Sequence, residues 1–376
     1  MEKKIIELLE ELIAIPSVFP NEENLAGYCA DFLKGFGFKV SLLPIGKNRF
    51  NVVATKGSQK KCVMLFAHLD TVPPYGYKKN PYEMKINGDI ISGLGSFDMK
   101  SGIAIILYCA SKIKLKKFAL KIVLSSDEEN NSLGSHIIYT KTFLKNVILA
   151  ITPEIIDDVN DSNDNNLVLL GRRGRVVYRL QINGISGHGA ALKGISAISV
   201  ASEIVRHIEK IKLKRNDFLG NATLFVREIK GASTSLSLPE ICEIYVDAHY
   251  VPPYTQDTLL EEIKNSINTE YSDYISRGVA ISAEILKRNT PYLKPYITDA
   301  KNKYVNKALN LASKNIKNLK ISAGLTVADE NIVAGFGVPV ITIGPFGGEA
   351  HSSNEWVSKK SVEETEKTYI HILENF

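Results

Sequence analysis

The chain has 376 residues, 44% hydrophobic and 23% charged, with a formal net charge of +5. That length is more than one hydrophobic core usually serves, so two domains are expected, and the composition is that of an ordinary globular protein that needs no covalent staples. The densest basic runs, "KLKKFALK" (114–121) and "KIKLKR" (210–215), lack aromatic interleaving and zinc-finger spacing, so a nucleic-acid partner is not expected.

In chain order, "MEKKIIELLEELIAIPS" reads as an amphipathic helix over 2–14, stopped by Pro16. It lacks the continuous apolar core of a signal peptide or membrane span, so a cytoplasmic protein with no membrane partner is expected. "NLAGYCADFLKGFG" (24–37) is a second helix, followed by the strands "KVSLLPI", "FNVVATK" and "CVMLFAHL". Then come helix "SGIAIILYCASKI", strand "FALKIVLSSDEE", helix "GSHIIYTKTFL" and strand "NVILAI". This alternation predicts an α/β fold with a largely parallel sheet. "DDVNDSNDNN" (157–166) reads as a polar loop.

The texture changes near Gly171. "RVVYRLQINGIS" and "ICEIYVDAHYV" alternate as strands, while "GISAISVASEIVRHIEKI" and "QDTLLEEIKNSINTEY" are amphipathic helices, which together suggest a smaller α+β insert. From about residue 285 the α/β texture resumes with helix "DAKNKYVNKALNLAS", strand "GVPVITIGP" and helix "SVEETEKTYIHILENF". The expected division is therefore 1–172 with 285–376 as one discontinuous domain, and 173–284 as the insert. Cys29, Cys62, Cys109 and Cys242 are widely separated in apolar surroundings, so buried free thiols in a reducing compartment are expected.

Ligands of open α/β sheets bind beyond the carboxyl ends of strands, so polar residues there carry the first functional signal. "VMLFA" ends in His68-Leu69-Asp70, and the Gly-rich turn "GLGSFDMKSG" places Asp98 ahead of a helix. "LKIVLSS" ends in Asp127-Glu128-Glu129, and "PVITIGP" leads through "FGGEA" to His351. Two histidines, an aspartate and adjacent glutamates at successive strand ends form a ligand set for one or two zinc ions. Each residue alone would read as structural: a capped turn at Asp70, a solvated acidic turn at "DEEN".

The motifs "HLDTVP", "GLGSFDMKSG", "SSDEE", "GISGHGA" and "GGEAHSSNEWV", in that order, resemble the M20 metallopeptidases, a group that includes acetylornithine deacetylase, succinyl-diaminopimelate desuccinylase, aminoacylase-1 and carboxypeptidase G. The resemblance spans the chain and implies a zinc-exopeptidase-like catalytic domain, a mixed and mainly parallel sheet flanked by helices, with an inserted α+β dimerisation or lid domain. It implies His68 on one zinc, His351 on the other, Asp98 as bridge and Glu129 as a terminal ligand, with cobalt or manganese as possible substitutes. A carboxylate suits the bridge because cations about 3.5–4 Å apart need negative charge between them. Asp70 would fix the His68 tautomer, and Glu128 would be the general base. His188 would come from the partner subunit of a homodimer to stabilise the oxyanion.

The chain departs from the family pattern at several places. Relatives carry an acid before a proline after the strand matching "VILAI", whereas this chain reads "AITPEII", with Thr152 before Pro153 and Glu154 after it. Either Glu154 reaches the metal or Thr152 occupies the position; a hydroxyl is the poorer zinc ligand, so Glu154 is preferred. Leu236 stands where many relatives have Asn, and His249 follows Asp247 where they have Arg, which puts substrate anchoring in doubt. Asp329 in "GLTVADEN" is either near the substrate pocket or a helix-start acid, and the glycines of "GRRGR" (171–175) read as a hinge. The expected activity is hydrolysis of an amide bond in a peptide or N-acyl amino acid. The alternatives are a biosynthetic deacylase of N-acyl-ornithine, -lysine or -diaminopimelate, or a non-catalytic relative with a depleted metal site.

Overall fold

Every residue of the strand Cys62–His68 is buried, as a strand covered by helices on both faces requires. In this computed structural model, which describes residues 4–115, 117–156, 166–233 and 235–376, it lies between two parallel neighbours, Ala119–Ser125 and Val147–Thr152. Among the described residues the sheet has nine strands. From one edge they run Lys39–Gly46, Arg49–Lys56, Ala119–Ser125, Cys62–His68, Val147–Thr152, Val340–Thr342, Leu167–Arg172 and Tyr296–Ile297. Lys320–Gly324 also pairs with Leu167–Arg172, in parallel. The centre is parallel and the pairs of Lys39–Gly46, Arg49–Lys56 and Tyr296–Ile297 are antiparallel, so the sheet is mixed, as expected.

Helices Ile5–Ala14, Lys100–Lys112 and Lys359–Asn375 pack together beside this sheet. Lys100–Lys112 is apolar almost all round, and Ile103, Ile105, Ile106 and Leu107 are fully buried. Each such side chain contributes about 1.5–3 kcal/mol on leaving water. The single helix expected from "GSHIIYTKTFL" is two, Leu133–Ile138 and Lys141–Leu144. Thr140 breaks it: its backbone is extended and its hydroxyl accepts from Phe143 N, so it caps a new helix.

A small sheet was not legible in the sequence. Lys85–Asn87, Ile90–Ser92, Trp356–Ser358 and Gly347–Gly348 pair antiparallel, joining the segment after His351 to the one before Asp98. Its strands have two or three residues each, too few to show a period.

The described contacts divide the chain into two units: Met1–Arg172 with Tyr296–Gly324 and Ala328–Phe376, and Arg173–Pro295 with Leu325–Val327. The second unit holds a four-stranded antiparallel sheet ordered Thr223–Gly231, Ile241–Tyr250, Gly174–Asn183, Ala280–Ile285. Alternate residues Cys242, Ile244, Val246 and Ala248 are buried, and helices Ala197–Ile208 and Gln256–Glu270 pack against the sheet. All four cysteines are buried and unbridged. Residues 157–165 of the expected polar loop lie outside the described residues. Among the described residues, no helix is long and apolar enough to cross a membrane.

Candidate metal centre

Register builds the centre. His68 is level with Ser125 in the parallel pair, and Leu69 N donates to Ser125 O at 2.7 Å. Residues that follow the two strands therefore leave the sheet side by side: Asp70 from one, Asp127-Glu128-Glu129 from the other. The Asp70 carboxylate, 1% exposed, accepts from Glu128 N at 3.1 Å and from Glu129 N at 3.0 Å, one through each oxygen. It holds the backbone of the glutamate pair.

That arrangement corrects one detail of the sequence reading. The His68 ring is oriented by the Asp70 main chain: Nδ1 lies 2.9 Å from the Asp70 carbonyl and 3.8 Å from the carboxylate. A carbonyl only accepts, so Nδ1 carries the proton and Nε2 of the neutral ring is a lone pair. The carboxylate is drawn away from the ring by its two backbone donors.

His68 Nε2 points at Asp98 Oδ1, 3.0 Å away, with Glu154 Oε2 at 3.8 Å. On the other side, His351 Nε2 lies 3.0 Å from Asp98 Oδ2 and 3.1 Å from Glu129 Oε2. Asp98 thus has one imidazole against each oxygen. One ligand atom each from His68, Asp98 and Glu129 lie mutually within 4.8 Å. His351 adopts a left-handed backbone conformation, φ 63°, in the loop that follows the strand pair of Gly347–Gly348.

An imidazole nitrogen 3.0 Å from a carboxylate oxygen is held by a shared proton or by a cation that both groups ligate. Five carboxylates (Asp70, Asp98, Glu128, Glu129 and Glu154) surround two imidazoles, and the Glu129 Oε1 atom is buried with no hydrogen-bond partner among the described residues. Buried charge of this kind is paired or coordinates a metal, and two imidazoles with bridging and terminal carboxylates are the ligands divalent zinc prefers. The donor set fits two cations, one beside each histidine.

The proton equilibria carry the same strain. Burial pushes Glu154 up to about 8 and Asp70 up to about 7, and it pushes Glu128 and Glu129 above the ordinary glutamate range. Hydrogen bonds to Asp98 and Glu129 push His351 up to about 11. Burial opposes charge on His68, but Asp98, Glu154 and Glu128 outweigh it and raise the ring well above its usual value. Burial also opposes charge on Asp98, yet the two histidines hold it below the carboxylate range.

Glu154 and Thr152 differ in where their oxygens lie. Glu154 directs Oε2 toward His68, while Thr152 Oγ1 is buried with no partner among the described residues. Gly344 makes room for this: a Cβ there would lie 2.0 Å from the Glu154 carbonyl. Arg172 donates to the Ile155 carbonyl at 3.3 Å and to Glu330 at 2.9 Å, which steadies the same segment.

Two acids contribute more than the sequence suggested. Asp329 is buried, accepting from Ser125 Oγ at 2.6 Å and Ser135 Oγ at 2.5 Å. Glu355, 2% exposed, accepts from Gly95 N, Phe97 N and Asp98 N at 2.8, 2.8 and 2.9 Å. The nearest sequence signal was its place four residues after His351.

His188, Leu236, Asp247 and His249 belong to the second unit. His188 is exposed and bridges to Ser237 beside Leu236. Asp247 is buried and paired bidentately with Arg175, at 2.9 and 2.5 Å, an internal tie of the sheet. His249 stacks on Phe225.

A model of peptidase family M20/M25/M40 matches residues 64–375. The chain is similar to the succinyl-diaminopimelate desuccinylase of Wolinella succinogenes, 24% identical over 379 residues covering 99% of this chain and 100% of the relative. Among solved structures it is similar to the aminopeptidase PepT of Bacillus cereus, with a TM-score of 0.82 at 17% identity, covering 100% of this chain and 98% of that one. It is also similar to the YXEP protein of Bacillus subtilis, described as a dinuclear metal binding peptidase, with a TM-score of 0.71 at 14% identity over 98% and 96% of the two chains.

Proposed function

The chain belongs to peptidase family M20/M25/M40 and is a hydrolase of that family, and from this premise we propose that it cleaves the amide bond of a peptide or N-acyl amino acid at a centre held by His68, Asp98, Glu129, Glu154 and His351. The observation that carries the proposal is Asp98 with one imidazole against each carboxylate oxygen. Zinc is the cation the ligand set favours. When bound, such cations supply Lewis acidity toward the scissile carbonyl and toward water.

The protein's own part is positioning and proton transfer. Asp70 fixes the backbone of Glu128, whose carboxylate is close enough to His68 to raise that ring's proton affinity. Glu128 takes the proton of the attacking water as oxygen bonds to the carbonyl carbon, and gives it to nitrogen as the C–N bond breaks. Burial raises the proton affinity of Glu128 in the metal-free protein.

Full-length similarity to a succinyl-diaminopimelate desuccinylase favours an N-acyl amino acid over a longer peptide, with deacylation as the specific form of the reaction. The second unit serves as the dimerisation unit: its edge strand Thr223–Gly231 leaves Phe225 and Ile229 each 48% exposed. His188 of a second copy supplies the oxyanion donor. Four buried, unbridged thiols support a cytoplasmic location.

Glu128→Gln tests the assignment. It should keep wild-type metal content, measured by elemental analysis, while turnover of N-succinyl-diaminopimelate, N-acetylornithine and dipeptides falls by at least about 100-fold. Unchanged turnover of whichever substrate the wild type hydrolyses refutes it.

A further inference from the structure

We propose that Glu355 is a positioning residue that sets where the bridging Asp98 lies, and so controls cation affinity at the centre. This rests on the metal reading above and concerns a residue that is not itself among the ligands.

Asp98 has both carboxylate oxygens engaged by imidazoles, so its placement depends on its backbone. That backbone belongs to a turn, "GLGSFDMK", between the short strand Ile90–Ser92 and helix Lys100–Lys112. Glu355 gathers three of the turn's N–H groups: Phe97 and Asp98 share Oε1, and Gly95 takes Oε2. A neutral acceptor could not serve all three, because no other side chain of this size offers two anionic oxygens in one plane.

The same carboxylate is fastened to the His351 segment. Trp356 pairs with Ser92, Val357 with Ile91 and Ser358 with Ile90, so the strand just after Glu355 is stitched to the strand just before the turn. His351 stands four residues upstream, and Glu355 N donates to Ser352 O at 3.3 Å. Glu355 therefore joins the two pieces of chain that deliver Asp98 and His351, which must meet at 3.0 Å. Lys100 is buried and donates to the Ile15 carbonyl at 2.7 Å. Binding groups must be held to within about 0.5 Å, and partners behind the ligands commonly change metal affinity by about 10–100-fold.

Glu355→Gln keeps the size and removes one acceptor, turning an amide N–H₂ toward a backbone N–H. Affinity is to be measured by competition of zinc with a chromophoric chelator, and geometry by the visible spectrum of the cobalt(II)-loaded protein, each beside the melting temperature of the metal-free protein. The expected result is affinity lower by about 10–100-fold and an altered cobalt spectrum. Wild-type affinity with an unaltered spectrum overturns the proposal, whatever happens to the melting temperature, and assigns Glu355 to folding alone. If Glu355→Gln does not fold, Glu355→Asp, which keeps the charge but falls one methylene short, is read by the same two measurements. A wild-type chain that takes up no cation overturns the metal reading itself, an outcome distinct from the variant behaving like a metal-loaded wild type.

Discussion

Glu154→Ala and Thr152→Val perturb positions two apart with opposite expected outcomes. Glu154 Oε2 lies 3.8 Å from His68 Nε2, close enough for both to ligate one cation, and a carboxylate about 4 Å from a unit positive charge contributes about 4 kcal/mol at an effective dielectric of about 20. Removing the carboxylate should therefore weaken cation binding beside His68 by up to about 1,000-fold, and by about 100-fold if water takes its place. Thr152 Oγ1 has no partner among the described residues, and a buried hydroxyl left unpaired costs about 1–3 kcal/mol. Valine has the same shape, so Thr152→Val should keep both cations and leave stability unchanged or about 1 kcal/mol higher. Chelator competition with elemental analysis reads the first effect, and differential scanning calorimetry the second. Loss of a cation from Thr152→Val, with wild-type affinity in Glu154→Ala, would refute the reasoning and return the ligand position to the threonine.

Two further outcomes follow from the same geometry. Asp70→Asn keeps one acceptor for the Glu128 and Glu129 amides and sets an N–H₂ group against the other; losing one charge-assisted bond of about 1.5–3 kcal/mol should lower kcat by about 10–100-fold, with zinc content checked alongside. In metal-free protein, Asp70, Glu154 and Glu355 are raised to about 7, 8 and 7, and His351 to about 11. For each group the folded state binds the proton more tightly, so its stabilisation is complete below the unfolded-state value and is lost as pH rises through the folded one. Metal-free protein should therefore be less stable to urea at pH 8 than at pH 5, and a stability that rises over that range would contradict the assignment. Above pH 8 the raised His351 and Lys100, which burial lowers to about 7, act in opposite directions.

His68 and Glu129 could be picked out as candidates because each follows an apolar run that marks a strand end, and Asp98 because it precedes a helix. Parallel pairing brings those two strand ends together, whereas the Asp98 and His351 segments are joined by the small antiparallel sheet that left no period in the sequence. What Asp70 does was only half legible. Its proximity to His68 is local, but the capture of its carboxylate by Glu128 N and Glu129 N depends on how a loop from a neighbouring strand curls. Glu355 left no trace of its role, since its donors lie more than 250 residues away and are backbone groups, which every residue but proline carries. The break at Thr140 shows the opposite failure: helical spacing ran on across it, and a hydroxyl cap stopped the helix locally.

The place of Val340–Thr342 has a consequence for how the chain comes to be folded. It sits between Val147–Thr152 and Leu167–Arg172, although both are synthesised far earlier. Until it arrives, those two strands each present an open hydrogen-bonding margin, and the cleft between them must be kept from closing or recruiting another molecule. Insertion into the middle of a sheet also waits on a long loop closure, so refolding from denaturant should be slow and its yield should fall as protein concentration rises.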